Sequence, residues 1–176
     1  ASDWSSDVCS SDLIVLHWVL GLALIGIFAV GLYMTDLPFS PTRLKLYNWH
    51  KWAGITLLAL SVLRLMWRLT HRPPALPDSL PVWQTLAAQI NHALLYVCMV
   101  AMPVSGFLGS SFTAYPIKFF GTPLPRLWEA SAEMKDIFSI IHTSCSYIFI
   151  ATIALHVLAA LWHVVRRDGI AKRMLP

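Results

Sequence analysis

The sequence predicts an all-α fold, an integral membrane bundle of four transmembrane helices. Three observations lead there. The chain has 176 residues, of which 57% are hydrophobic and only 12% charged, and its mean hydropathy is +0.62. Soluble domains carry about a quarter charged residues, so this chain lacks the polar surface to coat itself in water. Four apolar stretches each reach the roughly 20 residues that a helix needs to cross the hydrocarbon core. The formal charge is +4, but its basic residues flank the apolar stretches, which points to membrane topology and away from nucleic acid.

The first twelve residues, ASDWSSDVCSSD, are rich in Ser and Asp and unlike the apolar run after them. They have neither an initiating Met nor the basic start of a signal peptide. They are expected to be a non-native or disordered segment, from a truncated gene or translated vector or adapter sequence. The membrane domain then runs from 13 to 176. Its spans are expected at 13 to about 34, about 47 to 69, about 85 to 109 and about 137 to 165. Pro103 lies inside the third and should kink it, because proline supplies no backbone donor. HRPPALPDSLP, between spans two and three, is too proline-rich to be helical throughout. Residues 110–136 hold Pro116, Gly121, Pro123 and Pro125, and their WEASAEMKD end is expected to form a short interfacial helix. There is no internal repeat.

Orientation follows the basic residues near span ends. Arg64, Arg68, Arg72, Arg166, Arg167, Lys172 and Arg173 share one side with both termini; Arg43, Lys45, Lys51, Lys118, Arg126 and Lys135 lie opposite. The first group is denser and nearer the membrane, so both termini are expected in the cytoplasm. Trp49, Trp52, Trp67, Trp83 and Trp162 fall near span ends, as interfacial aromatics do.

Seven histidines occur, most of them in apolar segments. An ionisable residue inside a membrane is costly and marks a bundle interior or a ligand. His142 and His156 lie 14 residues apart on one helix. That is about 21 Å along the axis with a phase difference of roughly 40°, so both face one side. His50 opens span two at the depth of His142, and His17 opens span one on the side of His156. The pairs His50–His142 and His17–His156 could each clamp one haem iron, giving a low-spin bis-imidazole centre suited to electron transfer. Each of the four has a small residue at i+4, namely Gly21, Gly54, Ser146 and Ala160, which leaves room for a macrocycle. The competing reading of each histidine alone is a hydrogen bond to a neighbouring helix. Cys9, Cys98 and Cys145 form no CxxC or CxxCH motif, so any haem is non-covalent.

Other residues keep two readings open. Arg64, 14 residues after His50, would face the cytoplasmic haem and pair a propionate, or else snorkel to lipid headgroups. His92 would reach a propionate or a quinone, or sit as a plain interfacial histidine. His71 and His163 read as surface residues. On the side opposite the termini, Arg43, Lys45, Lys51, Lys118, Arg126 and Lys135 could focus an anion toward the periplasmic haem, or form an ordinary solvated loop in which Asp36, Glu129, Glu133 and Asp136 offset them.

Motifs spread from residue 13 to 176 make the chain resemble the bacterial cytochrome b561 family. They are LHW in span one, NWHKWAGI opening span two, VLRLMWRL with HRPP at its exit, INHALLYVCMVAMPVSGFLGS in span three, IHTSCSYIFIATIALHVLAALWH in span four, and the terminal RMLP. The resemblance implies a four-helix bundle holding two b haems, with His17, His50, His142 and His156 as ligands. It implies electron transfer between quinone and a second redox partner. In at least one branch superoxide is oxidised and ubiquinone reduced, with a cationic periplasmic surface drawing the anion. The expectation is therefore a membrane oxidoreductase of that kind; the alternative is a membrane-anchoring cytochrome b subunit of a hydrogenase or dehydrogenase. The chain departs from the family pattern in its first twelve residues and in the mixed charge of its periplasmic loops.

Overall fold

The computed structural model describes residues 4–70 and 80–170, with side chains from residue 13 onward. The proline-rich loop with His71 and Arg72, and the tail with Lys172 and Arg173, lie outside the described residues. Four helices succeed one another: α1 (Trp4–Asp36), α2 (Pro41–Thr70), α3 (Val82–Ser111) and α4 (Ala132–Arg166). All four are long and apolar enough to cross a membrane. The four spans expected from hydropathy are therefore present, each within a longer helix.

The extra length has local causes. α1 reaches back to Trp4, so part of the Ser/Asp-rich segment is helical. α2 starts well before residue 47 because Ser40 and Pro41 form a helix start. The Ser40 hydroxyl accepts the Arg43 N–H at 3.2 Å, and proline at the first helical position loses no bond there. α3 stays helical through Pro103, which leaves the Met99 carbonyl without its usual intrahelical donor.

The WEASAEMKD stretch does not form a separate interfacial helix. Residues 129–131 are irregular, and Ser131 caps α4 by accepting the Met134 N–H at 3.3 Å. A serine before a run of good helix formers starts the main helix, leaving no second helix to form upstream. Between α3 and α4 lies instead an antiparallel hairpin, β1 (Lys118–Phe119) and β2 (Thr122–Pro123). Its turn residues Phe120 and Gly121 both have positive φ, 48° and 89°. Glycine adopts this freely; the bulky Phe120 is held there with its ring against Trp52 of α2, centroids 4.4 Å apart.

The connections are short enough for up–down–up–down packing. α3 lies along α4, α1 along α2, and α2 along α3. The start of α1 and the end of α4 thus fall on one face, the terminal side; the α1–α2 turn and the hairpin mark the loop side. α1 and α4 meet through side chains at mid-depth, where Phe28 and Phe149 pack edge to face with centroids 5.4 Å apart. Leu20, Ile27, Leu57, Cys98, Met99 and Met102 complete this apolar layer. Large apolar side chains such as Leu22, Leu63, Val97 and Leu158 point outward, as lipid-facing positions require.

Candidate functional site

The bundle carries a pair of histidines on either side of the Phe28–Phe149 layer. On the loop side His50 of α2 faces His142 of α4, with ring centroids 6.2 Å apart and planes at 89°. On the terminal side His17 of α1 faces His156 of α4 at 6.0 Å and 74°. The facing partners are those that sequence spacing pairs, and Phe149 stands seven residues from each histidine of α4.

The spacing can be compared with what an iron requires. An imidazole nitrogen binds a first-row metal at about 2.0 Å, and the ring centre lies about 1.1 Å further back, so two rings on opposite sides of one metal have centroids about 6 Å apart. Both pairs have that separation. Among the described residues no group of three or more His, Cys, Asp or Glu is placed to hold a bare metal ion. Two imidazoles alone suit an iron whose other four positions a macrocycle fills. The donor sets therefore fit haem.

The two pairs are held differently. His142 Nδ1 lies 2.8 Å from the Met102 carbonyl and 3.4 Å from the Ser105 hydroxyl. A carbonyl only accepts, so Nδ1 carries the ring proton and Nε2 keeps its lone pair. His50 Nδ1 is buried and makes no hydrogen bond of good geometry. At His17, a guanidinium nitrogen of Arg64 donates to Nδ1 at 3.1 Å. Arg64 also donates to the Tyr96 hydroxyl at 3.4 Å, and its Nε is buried without a partner. The head of Arg64 is thus turned inward, to the terminal-side pair, where its partner is the His17 ring. Arg64 and Arg68 both stand 5.8 Å from the centre of the Tyr96 ring, and neither makes an ion pair among the described residues. His92 joins the same cluster, its ring centroid 5.4 Å from that of His156.

Two glycines that the sequence reading passed over lie against the rings. A Cβ on Gly31 would come 3.1 Å from His50 Cε1, and one on Gly106 would come 2.8 Å from His142 Cε1 and Nδ1. By contrast a Cβ on Gly21 meets nothing within 4 Å, and one on Gly54 meets only Ile27 at 3.9 Å. The close glycines sit on the helix beside the histidine-bearing one, not one turn along from the histidine. The available signal was glycine in the interior of apolar helices, with PVSG directly after Met102.

Much of the loop-side charge has local work. Arg126 donates to the Thr113 and Ala114 carbonyls, Arg43 to the Tyr47 hydroxyl, and Lys135 pairs with Asp136. Lys45, Lys51 and Lys118 remain, and Lys51 adjoins His50 in α2. His163, read as a surface residue, pairs with Asp168 at 2.6 Å beyond the end of α4. Cys98 is a buried core residue and Cys145 is half-buried; both are free thiols.

A four-helix membrane bundle with one imidazole pair in each half has the architecture of a membrane cytochrome of the b type. Comparison with known proteins narrows this. Residues 9–176 match the family described as prokaryotic cytochrome b561, and the chain belongs to that family. It is 31% identical over 163 residues to cytochrome b561 homolog 2 of Escherichia coli (strain K12), covering 90% of this chain and 86% of that protein. Cytochrome b561 homolog 1 of the same organism is 28% identical over 169 residues, covering 95% and 96%. A Yersinia pestis protein called probable superoxide oxidase CybB is 31% identical over 173 residues, covering 92% of each. The resemblance carried by the helix motifs is confirmed. The chain is a multi-pass bacterial membrane protein of an electron-transfer family that binds b-type haem.

Proposed function

We propose that the chain binds two b haems without covalent attachment, one between His50 and His142 and one between His17 and His156, and passes electrons between quinone and a second redox partner. The observation that carries this is the pair of facing imidazoles in each half of the bundle, at the separation one iron needs. Bound haem supplies a reversible one-electron centre. The chain's own residues do the rest. α4 spaces the two sites by about 21 Å along its axis, which is most of the hydrocarbon thickness. The apolar layer around Phe149 separates them. Arg64, now on the His17 ring at 3.1 Å, would turn to a haem carboxylate on the terminal side and leave His17 Nδ1 to carry the ring proton, and His92 lies in the same cluster, where a quinone headgroup would find a hydrogen-bonding imidazole.

Superoxide is the proposed donor on the loop side. The relative named as a probable superoxide oxidase supports this. In this reading the membrane is the bacterial inner membrane with both termini in the cytoplasm.

The test has two parts. A reduced-minus-oxidised spectrum with a haem count should show two b haems per chain. His50→Ala and His156→Ala should each remove a different one; a variant that kept both would break the pairing. Superoxide added to purified protein with ubiquinone should then reduce the quinone, and a rate no higher than the spontaneous background ends the superoxide version. A dehydrogenase or hydrogenase co-purifying from native membranes would favour the subunit role instead.

A further inference from the structure

The Met102 carbonyl of α3 receives two side-chain donors besides the Gly106 N–H of its own helix. His142 Nδ1 approaches it at 2.8 Å and the Ser105 hydroxyl at 2.7 Å. Ser105 is buried, 3% exposed, and its oxygen is also 3.4 Å from His142 Nδ1. On the next residue, Gly106, even a methyl group would run into the His142 ring at 2.8 Å. Within a few residues α3 thus supplies an acceptor that fixes the ring proton, a hydroxyl sharing that acceptor, and a gap the ring fills. The terminal-side pair has the opposite polarity, since His17 Nδ1 meets the donor Arg64 and no acceptor among the described residues.

We propose that residues 102–106 form an orienting seat for His142, in which Ser105 is a positioning residue that sets how strongly this imidazole donates to the loop-side iron. The inference rests on the two-haem reading above. A ring N–H that donates to a carbonyl makes the opposite nitrogen more basic, and a more basic ligand favours the oxidised metal. The Ser105 hydroxyl draws on the same carbonyl oxygen and weakens that effect. Ser105 therefore raises the loop-side potential relative to a seat without it. Gly106 keeps the ring close enough for the bond to form.

The experiment is an optical redox titration of the full two-haem protein, fitted to two components. In Ser105→Ala, His142 is the one side-chain donor left on that carbonyl among the described residues. One component should move toward the oxidised form by roughly fivefold, about 40 mV downward at 59 mV per tenfold for one electron, and the other should stay. Ser105→Thr keeps the hydroxyl and should restore the wild-type value. If neither component moves, or both move together, the proposal is overturned. Gly106→Ala gives an independent reading that a loss of haem in the serine variant would not obscure. It should displace the His142 ring, so that the loop-side haem is lost or leaves the low-spin state in electron paramagnetic resonance while the other remains. Two unaltered low-spin haems in Gly106→Ala also overturn it. A wild-type chain with fewer than two haems would instead end the two-haem reading, so the two failures are distinct.

Discussion

Replacing Gly31 by alanine should weaken the loop-side haem and spare the other. The new Cβ would stand 3.1 Å from His50 Cε1 and 3.7 Å from Nδ1. Carbon atoms pack best at about 3.5–4.0 Å, so the ring of His50 or the spacing of α1 and α2 must give by a few tenths of an ångström. Overpacking of this order costs about 1–3 kcal/mol. Alanine recovers about 1 kcal/mol over glycine in a helix interior. The net loss is up to about 2 kcal/mol and falls on the His50 side of the bundle. Carried wholly into binding, that is up to roughly a thirtyfold loss of affinity at the loop-side site. Gly26 is the control on the same helix, because a Cβ there meets nothing within 4 Å. Haem occupancy is measured by haemochrome spectra of purified variants across a dilution series, with paramagnetic resonance to tell the two sites apart. Gly31→Ala should lose occupancy at one site while Gly26→Ala behaves as wild type. Equal occupancy in both variants, or loss at the His17–His156 site, would refute the reasoning.

Two further outcomes test the scaffold. Phe149 is 1% exposed and packs edge to face on Phe28. Phe149→Ala should open a cavity on the order of 100 Å³, worth about 2 kcal/mol at roughly 24 cal/mol per Å³, and lose about 1 kcal/mol of aromatic pairing. Thermal unfolding in detergent should show that drop, with Phe149→Leu within about 1.5 kcal/mol of wild type; equal stability of the two variants would count against a packed midlayer. Beyond the membrane, the hydrogen bond from His163 holds the Asp168 carboxyl below its ordinary value of 3.8. A carboxyl depressed by folding contributes above its unfolded value and loses that contribution as pH falls through the folded one. Protection of the Ile170 amide, which donates to Asp168 Oδ1, should therefore survive to lower pH in wild type than in His163→Ala. Identical acid profiles would remove His163 as the cause.

The four helices and the facing histidines were legible in the sequence for one reason: both depend on short-range geometry. Hydropathy is summed along one helix, and the 14-residue step from His142 to His156 fixes depth and phase without knowledge of any neighbour. Depth then paired His50 with His142 and His17 with His156. The WEASAEMKD stretch misled because composition alone does not show where a helix starts. Ser131 marks that start, and the cap is visible only as a hydrogen bond to Met134. The short hairpin was missed for a related cause, since the ring of Phe120 finds its partner, Trp52, on a distant helix.

By itself the sequence determined four apolar helices, their alternating direction, and two levels of histidine on a shared face of α4. These follow from the cost of bare polar backbone in lipid and from the helical repeat, which act on any chain of this composition. Tertiary structure alone decided what stands against each ring: the Met102 carbonyl at His142, Arg64 at His17, and the glycines that let His50 and His142 lie close to neighbouring helices. Those contacts depend on the rotation and approach of one helix against another. That packing is set by all the side chains between them and leaves no mark in the spacing of a single segment.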